Sequence, residues 1–405
     1  MFYKNHSNCR VCGSENLTEY LDLGQLPLTN NLCTTWEEKA DLYPLKLMVC
    51  ENCWLSQLSI VVNPQLLFGN YVYRSSISND FMKHCLKMAY DLQNEYGLNE
   101  NSYHIDIAGN DGALLSQFEF VLNHKTLNVD PARNLTEICE AKGIKTLAKF
   151  WSEKVGWHLI GNWEKVDLIT ATNVVAHVDD LHDFFKGVKW ILKDTGVLII
   201  ECPYLIPFIE NNEFPTLYQE HLSVMSVYPI NKICDEIGLT LMKVEKQDIH
   251  CGSIRLHIGY GKQQQSVIDF IEEEVKYRTM QPYIDFAISS NSVIKEFSDK
   301  LHELKLSGSS ISGFACSAKG NTLLNAAKIN SNTIDYIIDH TPEKIGKYSP
   351  GTQIPILSID KLKTNPPDYL IILSWNFKNE IINKCKNAGY TGKFIIPIPH
   401  IQIID

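Results

Sequence analysis

Through the middle of the chain, short runs rich in Val, Ile and Leu alternate with stretches whose apolar residues recur every three or four positions. The runs His104–Ala108, Thr126–Val129, Asp167–Ala171, Val197–Glu201, Leu239–Val244 and Arg255–Tyr260 read as strands, and a helical pattern occupies Asn79 to about Tyr96. Asp167–Ala171 counts as the fourth strand, because the one before it leaves no clear pattern. Strands interleaved with helices predict a parallel sheet in a doubly wound α/β domain. Residues 263–307 are polar and helical, with Phe270, Ile271, Val275, Tyr283, Phe286, Val293 and Phe297 as the expected buried stripe. Pro282 should end one helix there and let a second begin or kink. A second α/β alternation follows in Ser310–Ala315, Ile334–Asp339, Tyr369–Ser374 and Lys393–Ile396, the last stopped by Pro397. Three domains are expected, at residues 1–70, 71–260 and 261–405.

Composition narrows the classes. The 405 residues carry 47 acidic and 37 basic side chains, a formal charge of −10, which disfavours wrapping a phosphate backbone and so predicts no nucleic-acid partner. No apolar run reaches membrane-spanning length, and the start of the chain lacks the pattern of a signal peptide. A cytoplasmic protein with reduced thiols is expected. Four of its twelve cysteines form two C-x-x-C knuckles, Cys9-Arg-Val-Cys12 and Cys50-Glu-Asn-Cys53. Two residues between sulfurs let one tight turn supply an edge of a zinc tetrahedron, and Gly13 follows the first knuckle where the chain must turn. A redox dithiol would need only one such pair. Four thiolates leave no open coordination position, so Cys9, Cys12, Cys50 and Cys53 predict a structural zinc. Residues 1–70 hold four Lys/Arg against seven Asp/Glu, which argues against a nucleic-acid ribbon.

The turn Ile105-Asp-Ile-Ala-Gly-Asn-Asp-Gly112 leaves a strand and opens a helix. Its glycines permit close ligand approach, and its acidic residues suit a cationic or hydroxyl-bearing ligand better than a pyrophosphate. Asp130 ends the next strand, where a carboxylate can accept from ribose hydroxyls. Together Asp106, Gly109, Asn110, Gly112 and Asp130 match the S-adenosylmethionine site of class I methyltransferases, with Ala108 departing from the pattern at its first glycine. Asn173, counted with the cofactor-binding residues, and His177 follow the fourth strand, at the end of a sheet where ligands bind. In a later loop, Tyr218, Glu220 and His221 offer a hydroxyl, a carboxylate and an imidazole within four positions. His250 and Gly252 head the last strand of this domain. In the C-terminal module, Lys319, Gly320 and Asn321 open a helix and predict an anion site.

This set resembles the sugar-nucleotide C-methyltransferases that act on deoxysugars. The likeness spans nearly the whole chain and rests on the paired knuckles, Tyr71-Val-Tyr-Arg-Ser-Ser76, Tyr218-Gln-Glu-His221, His250-Cys-Gly-Ser-Ile-Arg255, Ala318-Lys-Gly-Asn-Thr-Leu-Leu-Asn325 and Tyr348-Ser-Pro-Gly-Thr-Gln-Ile-Pro-Ile356. Ala315-Cys-Ser317 departs from it, where relatives often have Gly-Ala-Pro. The resemblance implies a small N-terminal zinc domain, a class I methyltransferase domain and a C-terminal Rossmann-like domain. It implies that His221 is the general base, with Tyr218, Glu220, His177 and Tyr73 orienting the sugar or stabilising charge. The expected substrate is a nucleotide-linked 4-keto-6-deoxysugar methylated at C-3, with Lys319, Gly320 and Asn321 on its pyrophosphate and the loop 348–356 leaning over the same cleft. An O-methyltransferase, an enzyme for another keto acceptor, and a non-catalytic zinc-containing binding protein stay open as alternatives. Oligomeric state is left open, a monomer included.

Overall fold

The computed structural model describes residues 2–161, 164–249 and 252–405, so His250 lies outside the described residues. Seven strands form the central sheet: β4 (Tyr103–Ile107), β5 (Lys125–Val129), β6 (Thr146–Leu147), β7 (Val166–Thr172), β8 (Leu192–Pro203), β10 (Thr240–Gln247) and β11 (Ser253–Gly259). Their spatial order is β10-β11-β8-β7-β4-β5-β6, with β4 to β8 parallel. The missing third strand is β6, only two residues long, too short for a hydrophobic pattern to register. The sheet is not wholly parallel, because β11 runs antiparallel to both β8 and β10. Five residues separate β10 from β11, and a connection that short can only turn the chain back, since a parallel crossover needs a dozen or more.

The linking region behaves as its proline predicts. One helix, α3 (Gln265–Glu273), ends in a 3₁₀ turn, and α4 (Gln281–Leu306) begins with Pro282 in its first turn. Phe270, Tyr283, Phe286, Val293 and Phe297 are buried, whereas Val275 is 56% exposed. Val275 falls in that 3₁₀ turn, where three residues per turn replace 3.6 and the helical stripe loses its phase. The C-terminal module is a six-stranded sheet of β12 (Ile311–Phe314), β13 (Ile337–Ile338), β14 (Ile356–Leu357), β15 (Tyr369–Ile372), β16 (Lys393–Ile396) and β17 (Gln402–Ile404), ordered β14-β13-β12-β15-β16-β17. Its core strands are parallel, with β17 alone antiparallel.

At the N-terminus, β1 (Leu17–Pro27), β2 (Leu42–Cys50) and β3 (Ser56–Leu58) form an antiparallel sheet beside the two knuckles. The sulfurs of Cys9, Cys12, Cys50 and Cys53 lie within 4.8 Å of one another. Each knuckle closes alike: Gly13 N–H donates to the Cys9 carbonyl at 2.9 Å and Trp54 N–H to the Cys50 carbonyl at 2.7 Å. Gly13 and Trp54 both take left-handed φ, 68° and 61°. Four converging thiols with no other role fit a closed zinc site. The fourth strand of this sheet comes from far along the chain. It is β9 (Ser223–Val224), paired with β3 through Ser223–Gln57 and Val224–Ser56. Arg10, inside the first knuckle and 4% exposed, donates from Nη1 to the carbonyls of Leu58 (3.0 Å) and Leu222 (3.3 Å). Cys50→Ser should therefore release zinc, lower the thermal midpoint by on the order of 5 °C or more, and open the segment at 218–224 to protease. An unchanged cleavage pattern in the zinc-free variant would contradict this coupling.

Candidate active site

One cavity of about 870 Å³ lies at the carboxyl ends of the parallel strands, between the central sheet and the C-terminal module. Its first wall is the turn after β4. Ala108 and Asn110 adopt left-handed φ of 52° and 55°. Ala108 thus carries a Cβ in a conformation that glycine takes without cost, and its N–H is fixed to the Val129 carbonyl at 2.8 Å. Gly109 is obligatory: a Cβ there would meet Asp106 Oδ2 at 2.4 Å and Asn128 Oδ1 at 2.7 Å. Gly112 does not line the cavity. At φ 75° it starts α2 (Ala113–Leu122), and a Cβ would strike Ile144 at 2.5 Å, so its part is packing beneath the turn.

Asp106 is fully buried, with Oδ1 accepting from the Thr170 hydroxyl at 2.6 Å and Oδ2 without a partner among the described residues. Burial raises it to about 7. Asp130 is raised to about 6 by burial, although its oxygens accept the N–H groups of Asn110 (2.9 Å) and Ala132 (2.8 Å). A buried carboxylate oxygen without a donor calls for a cation or a hydrogen-bond donor. S-adenosylmethionine brings both, so the turn fits it. Asn110 has a second task. Its side chain accepts from Ser75 N–H (3.0 Å) and donates to the Tyr73 carbonyl (3.2 Å), while Asp111 receives the Ser76 hydroxyl. These bonds lash the strap at residues 71–78 over the cavity. Asn173, at φ 56°, lines the same wall.

The second group gathers on the segment that leads into β9. Tyr218 Oη and His221 Nε2 are 3.0 Å apart, and the His221 ring lies 4.7 Å from that of His177. Burial lowers His177 to about 4, leaving it neutral near pH 7, and holds the Tyr218 hydroxyl well above the ordinary phenol value. Tyr73 is 44% exposed because its ring faces the open cavity, yet the surrounding walls push its hydroxyl up to about 12. Glu220 departs from its expected place. At 2% exposed it stands behind the wall, accepting from Asn30 Nδ2 at 2.7 Å on one oxygen and the Tyr71 hydroxyl at 3.0 Å on the other. Burial raises it to about 7. Tyr71 and Asn30 are the lining residues here; the sequence shows Tyr71 only within a motif and assigns neither a role. Tyr71 carried a signal, two positions before Tyr73 in the same aromatic stretch; Asn30, one polar residue in a loop, carried none.

The third wall belongs to the C-terminal module. Lys319 lines the cavity, with Nζ 3.4 Å from Glu213 Oε2 and 5.6 Å from the Trp375 ring centre. Lys344 and Lys384 line it as well, with Asp339 and Glu380 among them. Gly320 and Asn321 do not. A Cβ at Gly320 would meet Leu373 Cβ at 2.7 Å, so this glycine lets α5 (Ala318–Ala326) sit close to the sheet. Asn321, 1% exposed, donates to the Thr29 carbonyl at 2.8 Å. Ser317, within the departing Ala315-Cys-Ser segment, caps α5 by accepting from Gly320 N–H at 3.1 Å. The segment at 348–356 also misses the cleft: the backbone of Tyr348 pairs with that of Cys33 instead.

Known proteins agree with this three-part plan. Residues 9–68 match the family model described as "Putative zinc binding domain", residues 82–244 match "Methyltransferase domain", and residues 248–399 match "C-methyltransferase C-terminal domain". The C-methyltransferase NovU of Streptomyces niveus is 29% identical over 406 residues, covering 98% of this chain and 96% of that protein. Solved structures are more distant. An S-adenosylmethionine-dependent methyltransferase from Clostridium acetobutylicum ATCC 824 is 14% identical, covers 44% of this chain and 92% of its own, and has a TM-score of 0.35. Magnesium protoporphyrin IX methyltransferase from Synechocystis PCC 6803 is 11% identical over 45% of this chain and 81% of its own, with a TM-score of 0.35. The chain therefore carries, in this order along one polypeptide, a zinc-binding domain, a methyltransferase domain and a C-methyltransferase C-terminal domain, the plan of an S-adenosylmethionine-dependent C-methyltransferase.

Proposed function

We propose that the protein methylates a carbon beside the ketone of a nucleotide-linked 4-keto-6-deoxysugar, at C-3, in the cytosol. The observation that carries this reading is the Tyr218–His221 pair at 3.0 Å, in a cavity walled on one side by the cofactor turn and on the other by Lys319, Lys344 and Lys384. S-adenosylmethionine supplies an electrophilic methyl group when bound. Asp106 and Asp130 would hold its cationic and hydroxyl groups, with Gly109 giving the backbone room. His221 takes the proton next to the ketone as general base, and Tyr218 orients the imidazole through its hydrogen bond at Nε2. His177, kept neutral by burial, and the protonated Tyr73 hydroxyl are suited to donate to oxygen as negative charge develops on it. Glu220 acts one step back, by orienting Tyr71 and Asn30. The lysines of the C-terminal module would face the pyrophosphate, Lys319 with them, whereas Gly320 and Asn321 serve packing and a domain contact. A thiolate zinc site suits a reducing compartment.

A panel of dTDP-, CDP- and GDP-linked 4-keto sugars, with product mass and NMR, tests the reading; a methyl group on oxygen would contradict it. His221→Asn should lower turnover by at least about a thousandfold while calorimetry shows unchanged cofactor affinity. An active variant would reassign the base. Gly109→Ala should weaken S-adenosylmethionine binding by more than about tenfold, since the added Cβ displaces Asp106. Cofactor affinity should also depend on pH. With Asp106 raised to about 7 and Asp130 to about 6, both are protonated at pH 5 and ionised at pH 8. A cationic ligand prefers the ionised pair, so its Kd should fall as pH rises through that window. A Kd flat from pH 5 to 8 would contradict the assignment.

A further inference from the structure

The loop at residues 28–41 joins β1 to β2 and belongs by sequence to the zinc-binding domain, yet the C-terminal module grips it. Asn321 Nδ2 donates to the Thr29 carbonyl at 2.8 Å. Cys33 and Tyr348 exchange backbone hydrogen bonds of 3.0 and 2.9 Å, and Gln353 Nε2 donates to the Trp36 carbonyl at 3.2 Å. Immediately after Thr29, the side chain of Asn30 enters the cavity wall. Its nitrogen is committed to Glu220 Oε1 at 2.7 Å, and Tyr71 occupies the other carboxylate oxygen at 3.0 Å. Glu220 is therefore a fixed acceptor that sets the orientation of the Asn30 amide. No hydrogen bond to the Asn30 side-chain oxygen is formed by any described residue. A carboxamide oxygen can only accept, so its partner must carry an O–H or N–H.

We propose that Asn30 is a specificity-determining residue of the acceptor site, supplied by the zinc-binding domain, whose side-chain oxygen receives a hydrogen bond from a hydroxyl on the hexose ring of the acceptor. The inference rests on the function proposed above and adds to it the group that reads the sugar. Two features support it. The amide is pinned before substrate arrives, so little side-chain entropy remains to be lost on binding. The loop is anchored on both sides of Asn30, at Thr29 and Cys33, which explains why Asn321 and the segment at 348–356 point at the zinc-binding domain instead of the cleft. A site built to pair with a hydroxyl also rejects an analogue lacking it.

Calorimetry on the full-length, zinc-loaded protein separates the possibilities, with dTDP-4-keto-6-deoxyglucose and dTDP as probes. Asn30→Ala should weaken the sugar nucleotide about tenfold and leave dTDP and S-adenosylmethionine unchanged, because neither offers the hexose. Asn30→Ser, a smaller change whose hydroxyl is too short to reach Glu220, should show the same split and serves if the alanine variant does not fold. Unchanged affinity for the sugar nucleotide would overturn the inference. So would an equal loss for dTDP, which would mean that Asn30 acts through the fold. Wild-type protein that binds dTDP but not the keto sugar would instead overturn the proposed function, and this inference with it.

Discussion

The active site depends on a two-residue strand. Ser223 and Val224 leave the methyltransferase region and complete the sheet of the zinc-binding domain, and the residues just before them are Tyr218, Glu220 and His221. A segment so short has little stability of its own and takes its position from the sheet it joins. That sheet is held beside four converging thiols, and Arg10 in the first knuckle grips the carbonyl of Leu222, one residue from His221. Gln219 adds a further tie, donating to the Leu26 carbonyl at 3.2 Å. The zinc-binding domain therefore reaches the chemistry through backbone hydrogen bonds, with no need for the metal to touch the substrate.

The remaining walls obey the same logic of fixed backbone and few free side chains. The ends of β4 and β5 place Asp106 and Asp130 beside the same turn, where burial raises both carboxyls and suits the cationic cofactor proposed for them. The strap at residues 71–78 is tied to that turn by Asn110 and Asp111 and to the C-terminal module by the Arg74–Glu343 ion pair. It lines the cavity together with the imidazoles, while Lys319, Lys344 and Lys384 bound it from the C-terminal module. Preorganised donors of this kind are what the proposed enolate would need.

Much of this plan was legible in the sequence because its signals are local. The C-x-x-C spacing, the strand-turn-helix around Gly109 and the Tyr-x-Glu-His group each encode their geometry within a few residues. The failures are equally physical. Strand β6 is too short to show a pattern, β11 reverses because its connection is short, and Val275 loses phase in a 3₁₀ turn. Glu220, expected beside the substrate, and Gly320 and Asn321, expected on its pyrophosphate, do not line the cavity. A carboxylate's partners are set by tertiary contacts, here with Asn30, 190 positions away. Asn30 itself had no signal at all, since nothing local to the loop at 28–41 says that two other domains converge on it.

The central claim is that an imidazole in this cavity removes a proton from carbon. It is tested most directly by incubating the protein with dTDP-4-keto-6-deoxyglucose and S-adenosylhomocysteine in deuterium oxide and following the C-3 proton by NMR. The account predicts exchange of that proton in wild-type protein and none in His221→Asn. Retention of the proton by wild-type protein that binds the sugar nucleotide would contradict it.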